Sequence, residues 1–147
     1  MTRVLIDTSV LIKWFHSKGE SELDAARALR SAHLRGEIQA HVIDLAVYEV
    51  GNVLSRALHW SATDVADQLD DLAVVLGPPV VVDSAMLRSA ATLVDTHSLS
   101  FYDACWAAAA HELDIALISV DRLLLQSDLA ESPTEAAERL RLLPRRT

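Results

Sequence analysis

Three aspartates directly follow short apolar runs that predict buried strands. Asp7 comes after residues 4–6, Asp83 after residues 80–82, and Asp121 after residues 118–120. Ligands of open parallel sheets bind outside the carboxyl ends of the strands, so an acid at such an end can belong to a site. Aspartate is also a preferred helix N-cap, and for any one of the three the cap is the simpler interpretation.

Two further acids lie on the apolar faces of predicted helices. Glu49 shares a helix face with Leu45 and Val53, and Asp103 opens a segment rich in alanine. A carboxylate in such surroundings costs desolvation free energy unless it is paired or binds a metal. Partial exposure explains either acid alone about equally well, and the helix dipole favours Asp103 in a first turn by about 0.3–1 kcal/mol.

Several carboxylates together indicate a more specific chemistry than any one of them. Oxygen ligands contributed by separate elements are typical of Mg²⁺ and Mn²⁺ sites. Carboxylates held close together raise each other's pKa values unless divalent cations intervene. Such a cluster can hold one or two ions, activate water and stabilise the charge that develops on a phosphodiester.

The elements that must position these acids alternate along the chain. We predict strands over residues 3–6, 38–42, 80–82 and 115–118, separated by helices. Short, apolar strands separated by helices predict a parallel sheet covered on both faces. Residues 130–147 form a charged C-terminal segment, in which we predict a helix from Pro133 and an edge strand over 140–142. The whole chain, 1–147, is predicted to be one α/β domain.

Composition limits the class of protein. The 147 residues are 51% hydrophobic and 23% charged, which predicts one globular domain. The net charge of −8 disfavours a generic nucleic-acid binder, although bound cations and a local basic patch can offset it. One cysteine, Cys105, excludes an intrachain disulfide. With no apolar run long enough to cross a membrane and no signal-peptide pattern, we expect a soluble cytoplasmic protein.

Four segments of the sequence resemble the PIN-domain family and, within it, the VapC toxins of bacterial toxin–antitoxin modules. They occupy residues 4–12, 44–54, 99–104 and 116–124, and the likeness spans about residues 3–125. They carry Asp7, Glu49, Asp103 and Asp121, one in each segment and in the order typical of the family. Two departures are visible: no proline precedes the helix of Glu49, and Ser119 stands where the family often has threonine. Neither departure removes a carboxylate.

The resemblance implies a three-layer α/β/α sandwich with a short central parallel sheet. It also implies an Mg²⁺- or Mn²⁺-dependent endoribonuclease that cleaves RNA phosphodiester bonds with metal-activated water and leaves a 5′-phosphate. Asp7, Glu49, Asp103 and Asp121 would be the catalytic residues and the ligands of one or two ions. Asp121 is the one of these that often acts through water, and Asp83 has no counterpart and stays a cap.

Further residues and partners follow from the same resemblance. Side chains that would orient the carboxylates or waters are Thr8, Ser9, Asn52 and Ser119. Basic residues that would meet RNA are Lys13, Arg56 and Arg122, although a solvated charge explains each of these at least as well. The expected partners are an RNA substrate (tRNA, rRNA or mRNA), a VapB-like antitoxin and a second copy of the chain.

Three alternatives to a nuclease are open from the sequence. A catalytically silent PIN module could serve as an RNA-binding or assembly scaffold, although the intact acids disfavour it. A haloacid-type phosphatase needs a second acid two residues after Asp7, and a phosphoryl-transfer receiver needs a lysine after a late strand; the sequence has neither. For Trp14, Trp60 and Trp106, core packing is favoured over stacking on RNA bases.

Overall fold

Three parallel strands form the centre of the protein. A computed structural model describes residues 1–143, with β1 at Thr2–Ile6, β2 at Ile38–His41 and β3 at Ala116–Ile118. The strand order is β2-β1-β3, and Val4 pairs with Ala40 on one side and with Ala116 on the other. The predicted short parallel sheet is therefore confirmed.

Helices connect and flank these strands. Over the described residues they are α1 (Thr8–Leu11), α2 (Leu23–Leu34), α3 (Leu45–Asn52), α4 (Ala62–Leu76), α5 (Ser84–His97), α6 (Phe101–Leu113), α7 (Arg122–Gln126) and α8 (Pro133–Arg139). A 3-10 turn, Ile12–Trp14, extends α1, and a π-helical turn, Val53–Ala57, extends α3. The π-helical turn widens the end of this helix, where the Leu58 N–H donates to the Val53 carbonyl five residues earlier.

Both faces of the sheet are covered. Val4, Leu5 and Ile6 are all fully buried, although neighbouring residues of a strand point to opposite faces. The helix α2 packs against β2 and α8, while α6 packs against β3 and α5. Small residues of α6, among them Ala104 and Ala108, are fully buried and allow α5 to approach closely.

The predicted strand over residues 80–82 is wrong. Only Val80 pairs with the sheet region, through a single parallel bridge to Ile43. The preceding Pro78 and Pro79 supply no backbone N–H to a ladder, and Val81 is 69% exposed, so no buried strand forms there.

The predicted edge strand over 140–142 is also wrong. Arg141 adopts a left-handed conformation (φ 58°), and the Leu142 N–H donates to the Ala137 carbonyl, which closes the end of α8. Glu131 instead makes the edge contact, through a parallel bridge to Ile118. The rest of the predicted charged segment, residues 144–147, lies outside the described residues.

Among residues 1–143, the structure contains no helix that combines the length and the apolar character needed to span a bilayer.

Candidate active site

The four predicted acids line one pocket of about 250 Å³. They reach it from four places in the chain: Asp7 from the end of β1, Glu49 from α3, Asp103 from the first turn of α6, and Asp121 from the loop after β3. The remaining lining residues are Thr8, Ser9, Ile12, Val53 and Trp106. The pocket therefore lies at the carboxyl ends of β1 and β3, where open parallel sheets bind ligands.

Asp7 is the most buried of these acids, with 5% of its surface exposed. Its Oδ1 accepts hydrogen bonds from the Ser9 N–H (3.0 Å), the Ser9 hydroxyl (2.5 Å) and the Val10 N–H (3.3 Å). Its Oδ2 accepts one from the hydroxyl of Ser119, which is fully buried. Asp7 is thus the N-cap of α1, and two serine hydroxyls bind it in addition.

Burial dominates the electrostatics of Asp7. Loss of solvent raises the pKa of its carboxyl from 3.8 to about 6, and the hydrogen bonds from Ser119 and Ser9 offset only part of that rise. An ionised Asp7 is therefore costly in this pocket, and a cation beside it would stabilise the charged form.

The two serines also join the strand ends that carry Asp7 and Asp121. While Ser119 donates to Asp7, its oxygen accepts from the Asp121 N–H (2.9 Å). Likewise Ser9 donates to Asp7 and accepts from the Val120 N–H (3.2 Å). The end of β1 and the loop after β3 are consequently tied together around one carboxylate.

Asp103 and Asp121 line the same pocket, and their charges interact. The pKa of Asp103 is raised, first by desolvation and then by the negative charge of Asp121. Asp121 also caps α7, because its Oδ1 accepts from the Leu124 N–H at 3.0 Å. The pocket thus concentrates negative charge that no lysine or arginine among its lining residues compensates.

Glu49 is held by two donors on a single oxygen. Its Oε1 accepts from the Thr8 hydroxyl (3.0 Å) and from the indole N–H of Trp106 (3.0 Å). Core packing was the predicted role of Trp106, and its hydrogen bond to Glu49 was not predicted. Its spacing was the available signal, because Trp106 lies three residues after Asp103 and so shares its helix face.

Comparison with known proteins identifies the family. The family model for the PIN domain matches residues 4–130. This chain belongs to the PIN-domain family. The family resemblance stated from the sequence is therefore confirmed.

Solved structures of low sequence identity share this PIN fold. PAE2754 from Pyrobaculum aerophilum is 24% identical, with a TM-score of 0.66 over 97% of this chain and 98% of that one. A toxin–antitoxin complex from Klebsiella pneumoniae is 17% identical, with a TM-score of 0.63 over 88% of this chain and 97% of that one. FitAcB from Neisseria gonorrhoeae is 19% identical, with a TM-score of 0.66 over 89% of this chain and 98% of that one. No curated protein matches the chain by sequence.

Four other residues that were predicted for the site do not line the pocket: Asn52, Arg56, Arg122 and Lys13. Asn52 is exposed at the last residue of α3 and does not line the pocket. Arg56 and Arg122 are also exposed, with Arg122 directly after Asp121. Lys13 is only 3% exposed, and its Nζ pairs with Glu20 at 3.0 Å, so its side chain is not presented to solvent as the predicted RNA contact would require.

The donor set of the PIN pocket fits a divalent cation in chemistry. Carboxylate oxygens are the ligands that Mg²⁺ and Mn²⁺ prefer, and four carboxylates line this one pocket. Within residues 1–143, however, no three His, Cys, Asp or Glu side chains form a ready-made metal site. The pocket therefore supplies the donor chemistry of a divalent-cation site, and a bound ion would bring the carboxylates closer together.

Proposed function

We propose that this PIN domain is an Mg²⁺- or Mn²⁺-dependent endoribonuclease and acts as the toxin of a toxin–antitoxin pair. PIN domains are generally nucleases, which supports hydrolysis of a nucleic acid. The observation that carries the proposal is the convergence of four carboxylates from separate elements on one pocket, one of them only 5% exposed. Capping alone does not account for burial of that kind.

The proposed ligands are Asp7, Glu49 and Asp103, with Asp121 acting through water or completing a second position. One or two ions, when bound, supply activation of water and stabilisation of the charge on the phosphate. The chain itself holds these ligands in place, since Ser9 and Ser119 bind Asp7. The hydroxyl of Thr8 does the same for Glu49.

The charge of the chain favours a role for cations in substrate binding. With a net charge of −8, the protein repels a polyanion unless cations or local basic groups intervene. Arg122, exposed beside Asp121, is the nearest basic residue in sequence to the pocket acids and our first choice for a phosphate contact. Arg56, exposed on the turn after α3, is the second.

An antitoxin is the proposed regulator of this activity. One solved structure similar in fold is a toxin–antitoxin complex, which supports this assignment. The pocket acids suit an antitoxin segment that brings basic or hydrophobic side chains, because opposite charges favour association. We place the module in the cytoplasm, where a free and buried Cys105 agrees with a reducing environment.

A second copy of the chain is the other proposed partner. The side chains of Tyr48, Leu87, Phe101 and Tyr102 are exposed around an apolar cavity of about 240 Å³. Two copies that each carry a net charge of −8 associate most readily through such an apolar surface, whose lining contains a single charged residue, Asp44. Light scattering should give the mass of a dimer, and Tyr48→Ser combined with Leu87→Ser should shift it to a monomer; a monomeric wild type would contradict this part.

Incubation with nucleic acids tests the main proposal. Purified protein would be mixed with tRNA, rRNA and mRNA, and with DNA of matching sequence, in Mg²⁺, Mn²⁺ or EDTA. We expect cleavage of RNA only, in the presence of metal, and none by Asp7→Ala. Cleavage that survives both EDTA and the substitution would contradict the metal–carboxylate mechanism. Metal-independent RNA binding without cleavage would favour the scaffold alternative.

A further inference from the structure

The contact between Trp106 and Glu49 joins two helices across the pocket. Trp106 lies on α6 and is 2% exposed, while Glu49 lies half-buried on α3. The indole N–H donates to Oε1 of Glu49 at 3.0 Å, and the Thr8 hydroxyl donates to the same oxygen at the same distance. Both Thr8 and Trp106 line the pocket with the acid that they bind.

The other oxygen of Glu49 is left free by this arrangement. Among the described residues, no donor is hydrogen-bonded to Oε2. A glutamate side chain has several rotatable bonds, and fixing one oxygen restricts the positions that the second can take. Two donors on Oε1 therefore hold the carboxylate with Oε2 available to a ligand.

We infer that Trp106 is a positioning residue for the metal-binding carboxylate of Glu49, acting with Thr8 through the shared oxygen Oε1. This inference rests on the proposed function, because it assigns Glu49 a cation to bind. Side chains that are hydrogen-bonded to a metal-binding carboxylate or imidazole contribute about 10- to 100-fold to metal affinity or activity.

Trp14 provides a matched control for the packing of Trp106. Both indoles are 2% exposed, but the Nε1 of Trp14 has no hydrogen-bond partner among the described residues. Replacement by phenylalanine removes a similar volume at both sites and removes a hydrogen bond only at Trp106. A difference between the two variants therefore reports the N–H group rather than the loss of packing.

The experiment compares Mn²⁺ binding by full-length, metal-free protein, with free Mn²⁺ measured by electron paramagnetic resonance. Trp106→Phe should weaken binding by about 10- to 100-fold, while Trp14→Phe should stay close to wild type. Thr8→Val should also weaken binding, and Thr8→Ser, which keeps the hydroxyl, should restore it. RNA cleavage by Trp106→Phe should recover at high Mn²⁺ concentration.

A second measurement tests the hydrogen bond without any metal. In a ¹H–¹⁵N spectrum of the metal-free protein, the indole N–H signal of Trp106 is identified by its absence from the spectrum of Trp106→Phe. The chemical shift of that signal should change in Glu49→Ala. The indole signal of Trp14 should not move. An unmoved Trp106 signal would overturn the inference, since the bond on which it rests would not exist in solution.

The remaining outcomes separate this inference from the proposed function. Equal Mn²⁺ affinity of Trp106→Phe and Trp14→Phe, with wild type active, would overturn the role of Trp106 and leave the nuclease proposal standing. A wild type that neither binds Mn²⁺ nor cleaves RNA would overturn both. In that case a moving indole signal would assign the Trp106–Glu49 bond to the fold alone.

Discussion

Asp7 and Asp83 begin as the same motif and end in different surroundings. Each follows an apolar run, and each caps a helix: Asp7 caps α1, and Asp83 caps α5 by accepting from the Met86 N–H at 2.9 Å. Asp83 is exposed and makes no contribution to the pocket lining. Asp7 is 5% exposed and accepts hydrogen bonds from two serine hydroxyls in addition to those from backbone N–H groups.

This difference shows that capping geometry does not distinguish a site acid from a structural one. Capping needs only one carboxylate oxygen near the first turn of a helix. Burial of an acid costs desolvation free energy, and a helix cap at the protein surface does not require that burial. Asp7 is buried and also accepts hydrogen bonds from side-chain hydroxyls. Asp121 stands between the two, since it caps α7 and also lines the pocket.

The largest expected effect separates Asp7 from Asp83 in activity. Asp7→Asn should lower kcat for RNA cleavage by about 10³-fold or more, because loss of a metal ligand removes several kcal/mol of transition-state stabilisation. Asp83→Asn should leave kcat unchanged. Cleavage rates under saturating Mn²⁺ check both, and similar rates for the two variants would remove Asp7 from the site.

The next effect appears in the pH dependence of stability without metal. Well below pH 3.8 the Asp7 carboxyl is protonated in both the folded and the unfolded protein. As the pH rises, this carboxyl ionises first in the unfolded chain, because burial raises its pKa in the folded protein to about 6. The free energy of unfolding should therefore fall across this window, by up to about 3 kcal/mol from Asp7, and Asp7→Asn should remove that fall. Urea unfolding from pH 3.5 to 7.5 measures the difference.

The control for this experiment is Asp83→Asn, whose stability curve should run parallel to that of wild type. At pH 7 Asp7→Asn should be more stable than wild type in EDTA, although it is inactive. A parallel curve for Asp7→Asn would mean that its burial does not disfavour the ionised form.

Asp121 gives a smaller effect that tests its intermediate position. Asp121→Asn keeps an oxygen for the Leu124 N–H and so retains the cap of α7. Activity should fall about 10-fold, as expected for a residue that acts on the metal through water. Steady-state cleavage assays measure this, and a loss as large as that of Asp7→Asn would make Asp121 a direct ligand.

The smallest effect concerns the cap at Asp83 alone. Asp83→Ala should lower the free energy of unfolding by about 1 kcal/mol, because the N–H of Met86 loses its acceptor. Thermal unfolding checks this value, with Asp83→Ser, which can still cap, as the matched control. Loss of RNA cleavage at a temperature where Asp83→Ala is folded would contradict the purely structural role.

Much of the fold could be predicted from local sequence signals, and the acids that line the pocket could be predicted once the family resemblance was added to them. The helices α5 and α7 begin directly after the predicted caps Asp83 and Asp121, and the apolar runs at 4–6 and 116–118 became paired strands. These signals work because a cap or a buried strand depends on a few neighbouring residues. The same is true of the strand-end position that brings Asp7 to the pocket.

Long-range packing decided what those signals left open. Val80 formed one bridge rather than a strand, and Lys13 was buried against Glu20 rather than exposed. The partner of Glu49 is 57 residues away at Trp106, and the buried hydroxyl that binds Asp7 is 112 residues away at Ser119. Those contacts depend on how α3 meets α6 and how β1 meets β3, which no local pattern specifies. The sequence, read with the family resemblance, therefore predicted the carboxylates and the hydroxyls of Thr8, Ser9 and Ser119 beside them. Only the tertiary structure determined which carboxylate each hydroxyl binds, and only it showed the contribution of Trp106.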